Sequence, residues 1–348
     1  MNLSRRNKLI LTWLGYPLLA LTTFVMTLHW TFPYDRVKQK MVDDLSDKYE
    51  VSIKSVEPTI LPGGMVIHGL MLRPRPKKPG EEPPTISIKE VELNASILAA
   101  IRGKLDLDID AQIGSGSVSG NLVVSKAGLW ADFATRRLPL GDVPGLGDAV
   151  GLPLSGGLNA TLSLHLPKKR WREANGTIKL SCPGCTAGDG VAKIKPKPRD
   201  DRRLSPRLEA QMSFIGDGVE VPMLDLGNLA GVIEIKGGKG VIKNFAGESA
   251  DGEMIIEGDL DFKDPFKNTL VPGCFKFKFS EELKKREPKF SNIPTLMGAA
   301  VLPDGFANMR ITGTLGQLRW KAKLKCKTTD PDPPGGDDDD RPPSISIT

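Results

Sequence analysis

Residues 105–113 read LDLDIDAQI. Leu105, Leu107, Ile109, Ala111 and Ile113 take every second position, with Asp106, Asp108, Asp110 and Gln112 between them. A period of two puts these sets on opposite faces of a β-strand, one dry and one wet. The pattern returns in ISIKEVELNASI, NATLSLHL, GVIEIKG, FKFKF and MRITGTLGQLRWKAKLK. In the first of these the phase slips between Ile88 and Val91, which predicts a bulge at Lys89–Glu90. Roughly a dozen to fifteen such strands are expected, joined by Gly-rich turns such as GSGSVSG and GGKG. Composition agrees: 37 Gly and 28 Pro in 348 residues, with 6% aromatics, suit short strands and turns, not a helical bundle. Helices are few, expected at ASILAAIRGK (Ala95–Lys104), at SEELKKR (Ser280–Arg286) and near the N-terminus.

The N-terminus carries the second strong constraint. Arg5, Arg6 and Lys8 precede a run, Leu9–Tyr34, without a single Asp, Glu, Lys or Arg. About 20 apolar residues cross a bilayer's hydrocarbon core as a helix. Trp13, Tyr16, Trp30 and Tyr34 sit towards its two ends, where amphipathic rings favour the headgroup region. A cleaved signal peptide has a shorter apolar part and a small-x-small cleavage site. This run is too long, and Thr27–Phe32 is bulky, so it reads as an uncleaved anchor over 9–32, with Leu9, Trp13, Leu18, Phe24, Leu28 and Trp30 as lipid-facing candidates. Pro17 is tolerated in a membrane helix. The flanking cations are nearly balanced, and the short 1–8 flank holds no domain, so the N-terminus is expected to be cytoplasmic and residues 33–327 extracytoplasmic.

After Pro33, Val37, Met41 and Leu45 recur at helical spacing among charges, with Val42 and Tyr49 widening the stripe. This amphipathic helix either lies on lipid or caps a sheet, and the strand pattern VSIKSVEP that follows at once favours capping.

The net charge of +6 is uneven: residues 328–348 hold six Asp against one Arg, a net of −5 that leaves +11 on the rest. A basic body beside a membrane can meet anionic headgroups. Clustered Arg and base-stacking aromatics are missing, which excludes a nucleic-acid module. The tail KTTDPDPPGGDDDDRPPSISIT is Pro-rich and nearly free of apolar residues, so residues 328–348 are expected to be disordered. Two weakly similar stretches, around 105–185 and 208–326, share a strand–turn–strand plan with a Leu/Pro-rich crossing. The charged, Pro-rich segment between them, about 193–207, reads as a loop.

Four cysteines occur, at 182, 185, 274 and 326. Cys182-Pro-Gly-Cys185 has turn residues at its centre. A redox pair would open a helix, and a zinc site would need a second C-x-x-C, and neither context is present. A local disulfide between Cys182 and Cys185 in an oxidising compartment, or free thiols, remains. His29, His68 and His165 do not pair at metal spacing. GSGSVSG lacks the Lys-Ser/Thr of a phosphate loop and does not open a helix. No catalytic constellation, cofactor motif or metal motif is read, so an enzyme is not expected.

The order of these features resembles a known family. A short basic flank, one anchor, the exit Phe32-Pro33-Tyr34, the helix DRVKQKMVDDL and then VSIKSVEPTILPGGMVIHGLMLRP resemble GspN, the N component of the bacterial type II (general) secretion pathway. The later strands, with their G-x-L and G-x-V starts, resemble the wider AsmA-like group of periplasmic β-rich proteins. The resemblance spans about Leu9 to Cys326 and leaves 182–207 and 328–348 unassigned. It implies an inner-membrane protein with its bulk in the periplasm, an accessory or assembly role in secretion, other envelope proteins as partners, and no chemistry. The AsmA-like relation adds a rival: phospholipid acyl chains held on an apolar sheet face. The candidate lining is Leu105, Leu107, Ile109, Ala111 and Ile113, with Leu162, Leu164 and Leu166, and Phe275, Phe277 and Phe279. The fold expected overall is mainly β: an N-terminal transmembrane helix, then an elongated, twisted antiparallel β-sheet with a few covering helices.

Overall fold

The structure, a computed structural model, describes residues 5–47, 49–60, 62–75, 85–143, 152–196, 219–291, 293–296, 299–315, 317–321 and 345–347, with side chains of the first helix described from Trp13 onward. It is mainly β and antiparallel, with few helices. The chain divides into two compact units, Met1–Ile113 and Gly114–Thr348.

The first unit opens with helix α1 (Arg5–Trp30), which contains Pro17, followed by α2 (Tyr34–Ser46). Four strands then form an antiparallel meander: β1 (Tyr49–Pro58), β2 (Gly64–Pro74), β3 (Ile86–Ala95) and β4 (Leu105–Ile113). Met41 and Val42 of α2 pack on buried Ile53, Ile67 and Leu70. The amphipathic helix thus caps the meander. The phase slip read in the sequence is a real bulge: pairing of β3 with β4 shifts by one residue between Ile88 and Glu90, leaving Lys89 as the extra residue. The helix expected at 95–104 shortens to α3 (Ile97–Ile101), where the Ser96 hydroxyl accepts from the Ala99 amide at 3.3 Å.

In the second unit the long strands are β5 (Gly116–Val124), β6 (Gly128–Pro139), β8 (Gly157–Pro167), β9 (Asn175–Pro183), β14 (Asn228–Lys236), β15 (Lys239–Ser249), β16 (Gly252–Asp261), β17 (Gly273–Phe279) and β19 (Ala307–Thr314), adjacent in that order. Strands β18 (Ala300–Val301) and β20 (Gln317–Lys321) both pair with β19. Short strands make two small sheets. One joins β7 (Leu154–Ser155), β10 (Thr186–Ala187) and β13 (Leu224–Asp225). The other joins β11 (Lys193–Pro196), β12 (Val219–Glu220) and β21 (Ile345–Ile347). So the segment expected as a loop begins with a strand, and within the tail expected to be disordered Ile345–Ile347 pairs with β11. Residues 197–207 and 328–344 lie outside the described residues.

A short helix, Glu281–Arg286, follows β17, with the Ser280 hydroxyl accepting from the Leu283 amide at 3.1 Å. Its last residue is tied back to the sheet. Arg286 donates to the buried Asp251 carboxylate at 2.8 Å, and the other Asp251 oxygen accepts from the Asp225 amide, also at 2.8 Å. Leu283 is buried with Val221, Phe290 and Ile293, so the helix closes its own small core.

Candidate apolar face and membrane junction

The long strands of the second unit present one unbroken lateral rung. Gly120 pairs with Phe133, Phe133 with Leu162, Leu162 with Ile178, Ile178 with Ile233, and Ile233 with Ile242. Ile242 continues to Gly258, Gly273 and Ile311. Paired residues of antiparallel strands project to the same side, so this rung is one face. Two residues along, Leu122, Ala131, Leu164, Gly176, Ile235, Gly240 and Leu260 repeat it. On the opposite side Asn121, Asp132, Ser163, Thr177 and Glu234 pair in sequence as a polar row. Single-layer alternation has therefore become a two-faced sheet.

Glycines on the apolar rungs have a steric reason. A side chain at Gly120 or Gly231 would strike the ring of Phe133 or Phe245, which lies across it from the neighbouring strand. At Gly240, a β-carbon would come within 3.1 Å of Leu260 and 3.2 Å of Phe262. The rings fill the space that glycine leaves, as in aromatic cover of strand glycines.

The face is not uniformly covered. One end is packed: Leu164, Leu166, Ala174, Ile235, Leu260, Phe262 and Val271 are buried together. Trp171 packs against this cluster, stacked on Phe262 at 6.0 Å and tilted against Phe266 at 4.3 Å. Its amide donates to Asp264 at 2.9 Å, which holds the β8–β9 and β16–β17 connections together. Another part is packed by Leu140, Cys182 and Cys185, with Leu154, Leu158, Leu226 and Leu229 around them. Phe133, Leu162, Ile178 and Ile233 pack against the first cluster but, like Ile242, stay half-buried.

Each lining residue expected from the sequence can now be placed. Leu162 is half-buried, and Leu164 and Leu166 are buried, all in the cluster just described. Phe275 stacks on Phe277 at 5.3 Å, Phe277 lies tilted against Phe279 at 5.2 Å, and Phe279 meets Phe290 at 5.0 Å. Phe277 is buried with Ala307 and Met309. Leu105, Leu107, Ile109 and Ile113 belong to the first unit, where Leu105 is exposed and the rest are half-buried.

Cys182 and Cys185 form a disulfide with Cα atoms 5.6 Å apart, and both are buried. Cys274, also buried, is disulfide-bonded too, and no cysteine is free among the described residues. Cys326 lies outside them. Just beyond the first bridge, Asp189 accepts from the Val191 and Ala192 amides at 2.9 and 2.7 Å, which holds its carboxyl below the usual carboxylate range. No group of three or more His, Cys, Asp or Glu that could hold a metal occurs among the described residues.

At the N-terminus, α1 exposes Trp13, Leu18, Phe24, Leu28 and Trp30, with Trp13 at 77%. Among the described residues no helix is long and apolar enough to cross a membrane. The apolar run of the sequence begins at Leu9, ahead of the first described side chain. The end of α1 is fixed by a histidine that spacing had left without a role. His29 is buried, and its Nε2 lies 2.9 Å from the Thr59 carbonyl in the β1–β2 turn. Its Nδ1 lies 2.9 Å from the Tyr34 hydroxyl, which also reaches the His29 carbonyl at 3.1 Å. Burial pushes the Tyr34 phenol up. The signal for this role was a polar residue in an otherwise apolar run, five positions before a Tyr. Comparison with family models, curated proteins and solved structures found no match for this chain.

Proposed function

We propose that this chain is a non-enzymatic component of a bacterial cell envelope, held in the inner membrane by α1 with its β-rich bulk in the periplasm. One observation supports the placement: α1 presents large apolar side chains to its surroundings from Trp13 to Trp30, while its last turn is hydrogen-bonded into the folded meander. Exposed apolar surface of that extent is stable only in an apolar solvent. The disulfides support an oxidising compartment on the far side. A reporter fused after residue 327 tests this. Phosphatase activity is the expected result, and activity only of a cytoplasm-specific reporter rejects it.

The specific role proposed is an accessory or assembly part of a type II secretion machine. It rests on the resemblance to GspN of the basic flank, the apolar run, the helix DRVKQKMVDDL and the strands that follow it. Partner envelope proteins would bind through open strand edges. Normal secretion after deletion of the gene, with no secretion component co-purifying, rejects it. A second reading is favoured by the half-buried rung Phe133–Leu162–Ile178–Ile233–Ile242: this face shields phospholipid acyl chains. Mass spectrometry of the purified protein for bound phospholipid separates the two.

A further inference from the structure

The end of the first unit nearest α1 carries an apolar patch that the meander does not use. Helix α2 leads away from α1 for 13 residues, about 20 Å at helical rise, and β1 returns antiparallel to it, with Lys38 donating to the Lys54 carbonyl at 3.0 Å. The β1–β2 turn therefore lies back at the exit of α1, where Thr59 receives His29. In an up-and-down meander the β3–β4 connection lies at that same end. Hydrogen bonds show it: the Ala95 amide donates to the Gly63 carbonyl at 2.9 Å, immediately before α3.

These two connections expose their largest side chains. Ile60 is 87% exposed and Ile101 78%, with Leu98 exposed as well. Arg102 and Lys104 are exposed beside them, and segments 59–64 and 95–105 contain no acid. A short apolar, cationic surface of this kind inserts shallowly into an anionic lipid interface. We infer that the β1–β2 turn and α3 form a second membrane contact, seated in the headgroup region of the leaflet from which α1 emerges. It rests on the reading of α1 as an anchor. One helix leaves a domain free to tilt, whereas a helix and a separate patch fix its orientation to the bilayer.

The test uses the full chain in vesicles of phosphatidylethanolamine with phosphatidylglycerol. An environment-sensitive fluorophore is placed on Leu98→Cys, and a control on Ser87→Cys at the start of β3, the opposite end of the meander. The expected result is a blue shift and quenching by lipids labelled near the headgroup at Leu98, with neither at Ser87. Ile101→Glu combined with Arg102→Glu should abolish both changes while the protein still floats with the vesicles. Protein that floats but shows water-like emission at Leu98 overturns this inference and leaves the anchor intact. Protein that does not float at all overturns both. Shielding at Leu98 in native membranes but not in vesicles also overturns it, since a protein is then the occupant.

Discussion

The His29 imidazole is bonded on both sides, to the Thr59 carbonyl and to the Tyr34 hydroxyl, each at 2.9 Å. A carbonyl only accepts, so Nε2 carries a proton, while the Tyr34 hydroxyl lies between Nδ1 and the His29 carbonyl. This joins three segments: the end of α1, the start of α2 and the β1–β2 turn.

His29→Phe keeps the ring's bulk and removes both bonds. A buried hydrogen bond of this kind contributes about 1 kcal/mol. The effect should be local: faster amide exchange and easier proteolysis over residues 59–64, with the second unit unchanged. Unchanged exchange at the turn would show that the junction is held by other contacts.

Asp251 should be the most sensitive surface-proximal charge of the second unit. Its carboxylate is buried and bonds both Arg286 and the Asp225 amide, so Asp251→Ala takes the acceptor from both. A loss of about 2 kcal/mol is expected in the denaturation midpoint. Arg286→Ala should cost less, about 1 kcal/mol, because the guanidinium is half in solvent. Equal losses would mean that the ion pair, not the Asp225 amide, dominates.

The Cys182–Cys185 bridge should resist reductant in the native protein, because both sulfurs are buried under Leu140 and its neighbours. Cys182→Ser with Cys185→Ser should cost about 2 kcal/mol, the loop-closure value for so short a loop. Thiol labelling with and without denaturant checks the first statement, and thermal unfolding the second. Labelling of the native protein under mild reductant contradicts the burial.

Asp189 predicts a local acid response. Its carboxyl sits below the ordinary range because the Ala192 and Val191 amides bond the charged form. A depressed native pKa adds stability above the unfolded value, and that stability is lost as pH falls through the native value. The 189–192 turn should thus be fully held at neutral pH and loosen only in strong acid. Asp189→Asn should loosen it at all pH values. Amide exchange of Val191 and Ala192 measured against pH reads this directly.

Much of the architecture was legible because a period of two is a local property. LDLDIDAQI became β4, and the phase slip in ISIKEVELNASI became the shift at Ile88–Glu90. Helices were legible at Ala95–Lys104 and Ser280–Arg286, although α3 came out shorter than its apolar stretch suggested. The rung Gly120–Phe133–Leu162–Ile178–Ile233–Ile242 was not legible. It depends on which strands are neighbours and in what register, and alternation alone fixes neither. His29 was missed for a related reason: its partner Thr59 is 30 residues away. The lining expected as one set also spread over two units, because apolar alternation marks a face without saying on which unit it lies.

The last prediction separates a closed face from an open one. Ile235 and Ile178 lie on the same side of adjacent strands, but Ile235 is 2% exposed while Ile178 is half-buried. Glycine flanks Ile235 on both sides, Gly176 on β9 and Gly240 on β15, which lets neighbouring side chains close over it. Ile235→Ala therefore removes a fully packed side chain and leaves a cavity, at a cost of about 3 kcal/mol. Ile178→Ala removes atoms that still touch solvent, so about half that loss is expected from the smaller buried area. Chemical denaturation of the two variants gives the ratio. Addition of short-chain phospholipid should raise the midpoint of the native protein, and Ile178→Ala should reduce that gain while Ile235→Ala keeps it. Equal costs at the two positions, with no lipid effect, would show that Ile178 is packed as tightly as Ile235 and would remove the structural support for acyl-chain binding.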